Sequence, residues 1–171
     1  MWFGKSAETD WAAPSFAGLF AAYVVIARAL SVDGWGLILD NANLALHEAG
    51  HPIVGLFSNR LAVYGGTWFQ LLFPLLAALH FQRRREVLGF VVGLVCLGEN
   101  LLNVARYMAD ARTQILPLVG GGEHDWTEIF SRWGVLAADT RIAGVTELLG
   151  WLLIVAPLRW LARGWLRRRQ T

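Results

Sequence analysis

Cysteine and charge are the scarcest features of this chain. A single cysteine, Cys96, occurs in 171 residues, so neither an internal disulfide nor a cysteine-ligated metal centre can form. Cys96 lies inside an apolar run and reads as a packing residue. Charged residues make up only 16% of the chain and the formal net charge is +2, although the sequence pI is about 9.1. The basic residues gather at Arg83 to Arg85 and Arg167 to Arg169, a pattern that reads as orientation signals and not as a nucleic-acid surface. Internal repeats and low-complexity tracts are missing. So is a small-residue cleavage site after the first apolar run, whose flank mixes Lys5 with Glu8 and Asp10, so that run is expected to stay as an anchor and not to be removed as a signal peptide.

What the chain has in abundance is apolar surface. Hydrophobic residues reach 56% and the mean hydropathy is +0.44, outside the range of a soluble domain of this length. The expected fold class is an all-α, polytopic membrane helix bundle forming one integral membrane domain over residues 1–171. Five segments have roughly the 17 to 25 residues that cross a hydrocarbon core: near 14–30, 36–57, 66–82, 87–107 and 142–161. Gly34 and Gly36 are expected to break the first from the second, Asn59 with Gly65 and Gly66 the second from the third, and the Arg83 to Glu86 cluster the third from the fourth. One long connection, 110–141, holds Pro117, the glycine run 120–122 and Glu123-His124-Asp125-Trp126, followed by a short amphipathic helix expected from Thr127 to Ala138. Of the nine tryptophans, Trp11, Trp35, Trp68, Trp126, Trp133 and Trp160 fall near the ends of apolar runs, where indole rings favour the membrane interface.

Retention of positive charge on the cytoplasmic side puts both arginine clusters there, a condition that five spans satisfy. The chain is expected in a bacterial inner membrane with its C-terminus cytoplasmic and the 110–141 connection outside. The arginine-rich tail can also meet anionic lipid headgroups.

Against this apolar background one short run stands out. Leu46-His47-Glu48-Ala49-Gly50-His51-Pro52 contains the HExxH spacing. Residues four apart on a helix lie one turn above each other, so His47 and His51 can offer two imidazoles to one zinc while Glu48 stands beside them as general base. Pro52 cannot donate to the carbonyl of Glu48 and is expected to loosen the helix there. Asp40, Asn43, His47 and His51 share one helical face, as do Glu99, Asn103, Arg106 and Asp110 on the fourth segment. Ionisable stripes inside a bilayer are expected to face each other across the bundle interior. The blander reading is interhelical hydrogen bonding without chemistry.

A catalytic zinc needs a third protein ligand, and Glu99, Asp110 and His124 are the candidates. Depth along the helices favours Glu99, because Asp110 sits more than about 10 Å further outward. His124, in its glycine-rich loop, can act as ligand, transition-state stabiliser or lid residue. Thr67 and Gln70, with Tyr64-Gly65-Gly66 before them, can meet a substrate backbone or simply pack helices.

HEAGH in a membrane helix, followed by a glycine-containing turn and a later helix with Asn103 and Asp110, resembles the site-2 proteases. The resemblance covers roughly residues 36–112. The usual Asn-Pro and Asp-Gly pairs are replaced by Asn103-Val104 and Asp110-Ala111. The resemblance implies an intramembrane zinc metallopeptidase in which His47, His51 and Asp110 hold Zn2+ and Glu48 is the catalytic base. Its expected substrate is a transmembrane peptide, unwound locally before attack because a helix hides its carbonyls. The alternative from another class is a small non-enzymatic subunit of a larger membrane complex, with a structural metal or haem site. Glu48 discriminates between them, since haem ligation gives it no role. A zinc hydrolase acting on lipid is a third option.

Overall fold

Long apolar runs with no water to satisfy their backbone must close their hydrogen bonds within themselves, and the chain does so as helices. The computed structural model describes residues 12–31, 37–119 and 123–168. Expectations for Trp11, Trp35, Gly34, Gly36, the 120–122 run, Arg169 and the N-terminus lie outside the described residues. Among the described residues six α-helices follow one another: α1 (Ala12–Leu30), α2 (Leu37–Gly55), α3 (Ala62–Arg84), α4 (Val87–Ala109), α5 (Asp125–Trp133) and α6 (Asp139–Arg168). A single 3-10 turn, Leu136–Ala138, precedes α6. No strand occurs among the described residues.

The all-α membrane bundle is as expected, but among the described residues four segments, not five, are long and apolar enough to cross a membrane: α1, α3, α4 and Leu136–Arg167. The difference lies in α2, whose 19 residues carry Asp40, Asn43, His47, Glu48 and His51. Leu19, Leu76, Leu148 and Leu152 lie more than half exposed on α1, α3 and α6, an outer surface suited to hydrocarbon as solvent.

The α3–α4 connection is only Arg85 and Glu86. Arg85 takes a left-handed conformation (φ 58°), its N–H donating to the Gln82 carbonyl, while the Glu86 N–H reaches back to Phe81. This closes the helix end in six residues and turns α4 back along α3. The expected break at Gly65 and Gly66 is not there, because both lie inside α3. Their role is close approach: a Cβ on Gly50 of α2 would stand 2.1 Å from the Gly65 carbonyl oxygen, and one on Gly65 2.3 Å from that of Gly50. The two backbones touch, as small residues allow in membrane helix pairs.

The two polar stripes do meet. Asn43 donates to Glu99 Oε2 (2.8 Å), Asn100 to Asn43 Oδ1 (2.8 Å) and Asn103 to Asp40 Oδ1 (2.7 Å), pinning α2 to α4. Elsewhere α1, α4 and α6 share a core of Ala17, Ala21, Val24, Val91, Val95, Leu102, Ile154 and Leu161. A second core, with Val63, Val104, Met108, Ala111, Trp126, Ile129, Phe130 and Ala143, clamps α5 onto the bundle end. Trp126 is thus a core residue, 5% exposed, while Trp68 and Trp133 are half exposed.

Candidate metal centre

HExxH lies where helical geometry predicts, on α2 one to two turns from its end. His47 and His51 are adjacent on one face, their rings 4.9 Å apart. Each imidazole is held at Nδ1 by an oxygen: Gln70 Oε1 on α3 stands 3.0 Å from His47 Nδ1, and the Ala62 carbonyl at the start of α3 stands 2.9 Å from His51 Nδ1. A carbonyl oxygen only accepts, so Nδ1 donates in both rings and Nε2 is the nitrogen each ring turns toward Asp125, to donate a proton or to bind a metal ion. That is the second shell a metal-ligating histidine ordinarily has. Gln70 therefore orients a ligand; in the sequence it reads equally as a substrate contact or a packing residue.

Both Nε2 atoms face one carboxylate oxygen. Asp125 Oδ2 lies 2.8 Å from His47 Nε2 and 3.3 Å from His51 Nε2. A carboxylate oxygen flanked by two imidazole nitrogens is satisfied by a proton on either ring or by a metal ion between them. His47, His51 and Asp125 form a group able to hold a metal ion, their ligand atoms all within 4.8 Å of one another. Two imidazole nitrogens and one carboxylate oxygen match the donor set of a catalytic zinc, which binds such atoms at about 2.0–2.2 Å and keeps a fourth position open.

The structure brings Asp125, and not Asp110, to the histidines. Asp110 ends α4, where its carboxylate accepts from Thr113 Oγ1 (2.7 Å) and from the N–H groups of Ile115 (2.9 Å) and Leu116 (3.0 Å). Burial pushes its pKa up, but those three donors outweigh it and hold the carboxyl below its ordinary value. Glu99 is bound to Asn43 within the α2–α4 network. His124 is the N-cap of α5, its Nδ1 accepting from the Thr127 N–H, and burial lowers its pKa against the pull of Asp110 and Asp125. Burial likewise pushes the Asp125 carboxyl up, and the hydrogen bonds of His47 and His51 reverse the direction to a net lowering. As the first residue of α5, Asp125 also sits where the helix dipole favours a negative charge.

The site opens into a cavity of about 710 Å³ lined by His47, Glu48, His51, Arg106, Tyr107, Asp125 and the 116–119 segment, among others. Glu48 is half-buried on its wall. Gly66 packs directly on His47: a Cβ there would stand 2.5 Å from Nε2. Sequence reasoning reached the right loop but singled out its histidine. The signal for Asp125 is an acidic residue opening an amphipathic helix at the end of the bundle that holds His51. Comparison with protein-family models, curated proteins and solved structures returned no match.

Proposed function

We propose that the protein is a membrane-embedded, zinc-dependent hydrolase whose substrate is a peptide bond in or near the membrane. The observation that carries this reading is the convergence of His47 Nε2 and His51 Nε2 on Asp125 Oδ2, beside a cavity that Glu48 also lines. His47, His51 and Asp125 would hold the zinc, which would supply Lewis acidity toward a carbonyl and toward water. Glu48, adjacent to His47 in sequence and lining the cavity, would take a proton from the attacking water and return it to the leaving amine. Arg106 and Tyr107 border the same cavity and offer donors for negative charge developing on the carbonyl oxygen.

Two features support hydrolysis over a structural or haem site in a non-enzymatic subunit. Bis-histidine haem ligation needs imidazoles approaching an iron from opposite sides, whereas these two converge on one oxygen from a single helical face. A structural zinc is ordinarily closed by four protein ligands; the group here offers three and adjoins a large cavity.

The arginines at 83–85 lie at the α3–α4 turn and Arg163 and Arg167 near the end of α6, at the bundle end away from the α2–α3 turn and the cavity. Retention of positive charge in the cytoplasm directs the cavity to the extracytoplasmic face of the membrane, with the C-terminus cytoplasmic.

The test is elemental analysis and hydrolysis on the detergent-purified protein, with fluorescein-labelled casein as a generic unfolded substrate. Wild type should carry near-stoichiometric zinc and cleave. Glu48→Gln should keep the zinc and lose about 10²- to 10⁴-fold in rate, the usual contribution of a general base. Zinc retention with no cleavage by wild type, and lost assembly in Glu48→Gln, would favour the subunit instead.

A further inference from the structure

We propose that Asp110 is a positioning residue for the metal site: it anchors both the helix that carries Asp125 and the 116–119 segment that borders the same cavity. This rests on the metal-site reading above and assigns the carboxylate a role other than ligation.

Asp110 is 7% exposed, and its oxygens are already committed. Oδ1 accepts from Thr113 Oγ1 and the Ile115 N–H, and Oδ2 from the Leu116 N–H. The remaining lone-pair direction faces His124, whose Nε2 lies 3.5 Å from Oδ2. An ionised carboxylate has about four such directions, so three are taken by hydrogen bonds and His124 approaches the fourth only at ion-pair distance.

Two consequences follow from where these donors sit. Ile115 and Leu116 lead into the 116–119 segment, which borders the cavity, so Asp110 fixes that wall by its backbone. His124 is the N-cap of α5, accepting from the Thr127 N–H at 3.3 Å. Its ring lies over that of Tyr107, centroids 4.1 Å apart, and the Tyr107 hydroxyl oxygen accepts from the Asp125 N–H at 3.2 Å. Thr127 Oγ1 also donates to the Ala111 carbonyl. The first turn of α5 is therefore tied to the end of α4 by its cap, by a backbone N–H and by a side chain, all beside Asp110. A nine-residue helix has no stability of its own to hold a ligand in place, so these ties determine where the Asp125 carboxylate stands. Groups that orient a metal ligand typically contribute 10- to 100-fold in affinity.

The experiment is a Co2+ titration followed by visible absorption, with amide hydrogen exchange over residues 110–130, on detergent-purified protein. Asp125→Ala should lose the wild-type Co2+ spectrum. Asp110→Ala should keep its shape while binding about 10- to 100-fold more weakly, with faster exchange at Ile115, Leu116 and Thr127. His124→Ala should weaken binding similarly, and His124→Asn, which restores an oxygen acceptor at the cap, should recover most of the affinity. The His124 pair carries the test should Asp110→Ala fail to fold. A spectrum in Asp110→Ala altered like that of Asp125→Ala would make Asp110 a ligand and overturn the proposal, as would wild-type affinity and exchange. Failure of wild type to bind Co2+ would sink the metal reading itself, while the exchange data would still decide whether Asp110 anchors α5.

Discussion

Gly66 and Gly50 both sit where no Cβ fits, but what they touch differs. A Cβ on Gly66 would meet the imidazole of His47 at 2.5 to 2.7 Å, whereas one on Gly50 would meet the Gly65 backbone at 2.1 Å. An imidazole can swing aside and a backbone cannot. Gly66→Ala should therefore leave the fold near wild-type stability, aided by the better helix propensity of alanine, yet displace His47 and weaken zinc binding at least about 10-fold. Gly50→Ala should force α2 and α3 apart, with a loss of order 1–3 kcal/mol. Thermal unfolding with metal titration on both variants checks the pair; equal stability loss would show that the ring is as fixed as the backbone. At this scale the sequence is readable only as far as local geometry reaches. His47, Glu48 and His51 follow from the helical period, since their spacing is their arrangement. Asp125 stands 78 residues from His47, and nothing local to either residue states that they meet. The resemblance points to Asp110 and depth along straight helices to Glu99, yet the carboxylate that meets the two histidines, Asp125, comes from a separate short helix.

That short helix is where packing governs the site at the level of an element. α5 buries Trp126, Ile129 and Phe130, the last two at 0% exposure, against α3, α4 and α6. Its cavity-facing side carries Glu128 paired with Arg132, which also donates to the Arg60 carbonyl. Phe130→Ala removes the largest fully buried side chain, a change that ordinarily costs about 3–5 kcal/mol in a core. Because α5 holds Asp125, the expected outcome is loss of zinc before loss of the membrane bundle: metal content falls while helical circular dichroism stays near that of wild type. Intact zinc in Phe130→Ala would mean that the α4 ties alone hold the ligand. The amphipathic character of this segment was visible in the sequence, but its limits were not. The helix was expected over Thr127 to Ala138, whereas the His124 cap starts it at Asp125 and Gly134, with φ 70°, stops it after Trp133. The long apolar helices are legible in the sequence to within a few residues, except that α6 runs past 161 to Arg168. Gly65 and Gly66 misled because glycine marks both a turn and a close helix contact, and only the partner helix decides which.

For the whole molecule, the polar content of α2 and the distribution of arginine act together. α2 hides Asp40, Asn43 and His47 against α3 and α4, all under 10% exposed, so a helix too polar to count as a span by composition can still lie within the bundle. Its burial was predictable from the facing stripes, because unpaired polar groups in hydrocarbon are costly, but five apolar runs could not be sorted into four strong spans and one shielded helix without knowing what α2 packs on. The proposed orientation rests on charge. The α2–α3 turn, the end of α4 and α5 share the cavity end, while Arg83, Arg84 and Arg85 occupy the opposite turn. If the arginines are cytoplasmic, a cysteine placed at Asn59, which borders the cavity, should react with a membrane-impermeant maleimide in intact spheroplasts, after Cys96 is replaced by alanine. A cysteine at Arg84 should react only once the membrane is permeabilised. The reverse pattern would put the metal site in the cytoplasm and require the arginine clusters to face outward against the retention of positive charge. Labelling of both from outside would mean that α3 does not cross the membrane, leaving its exposed Leu72, Leu75 and Leu76 without the hydrocarbon they are suited to.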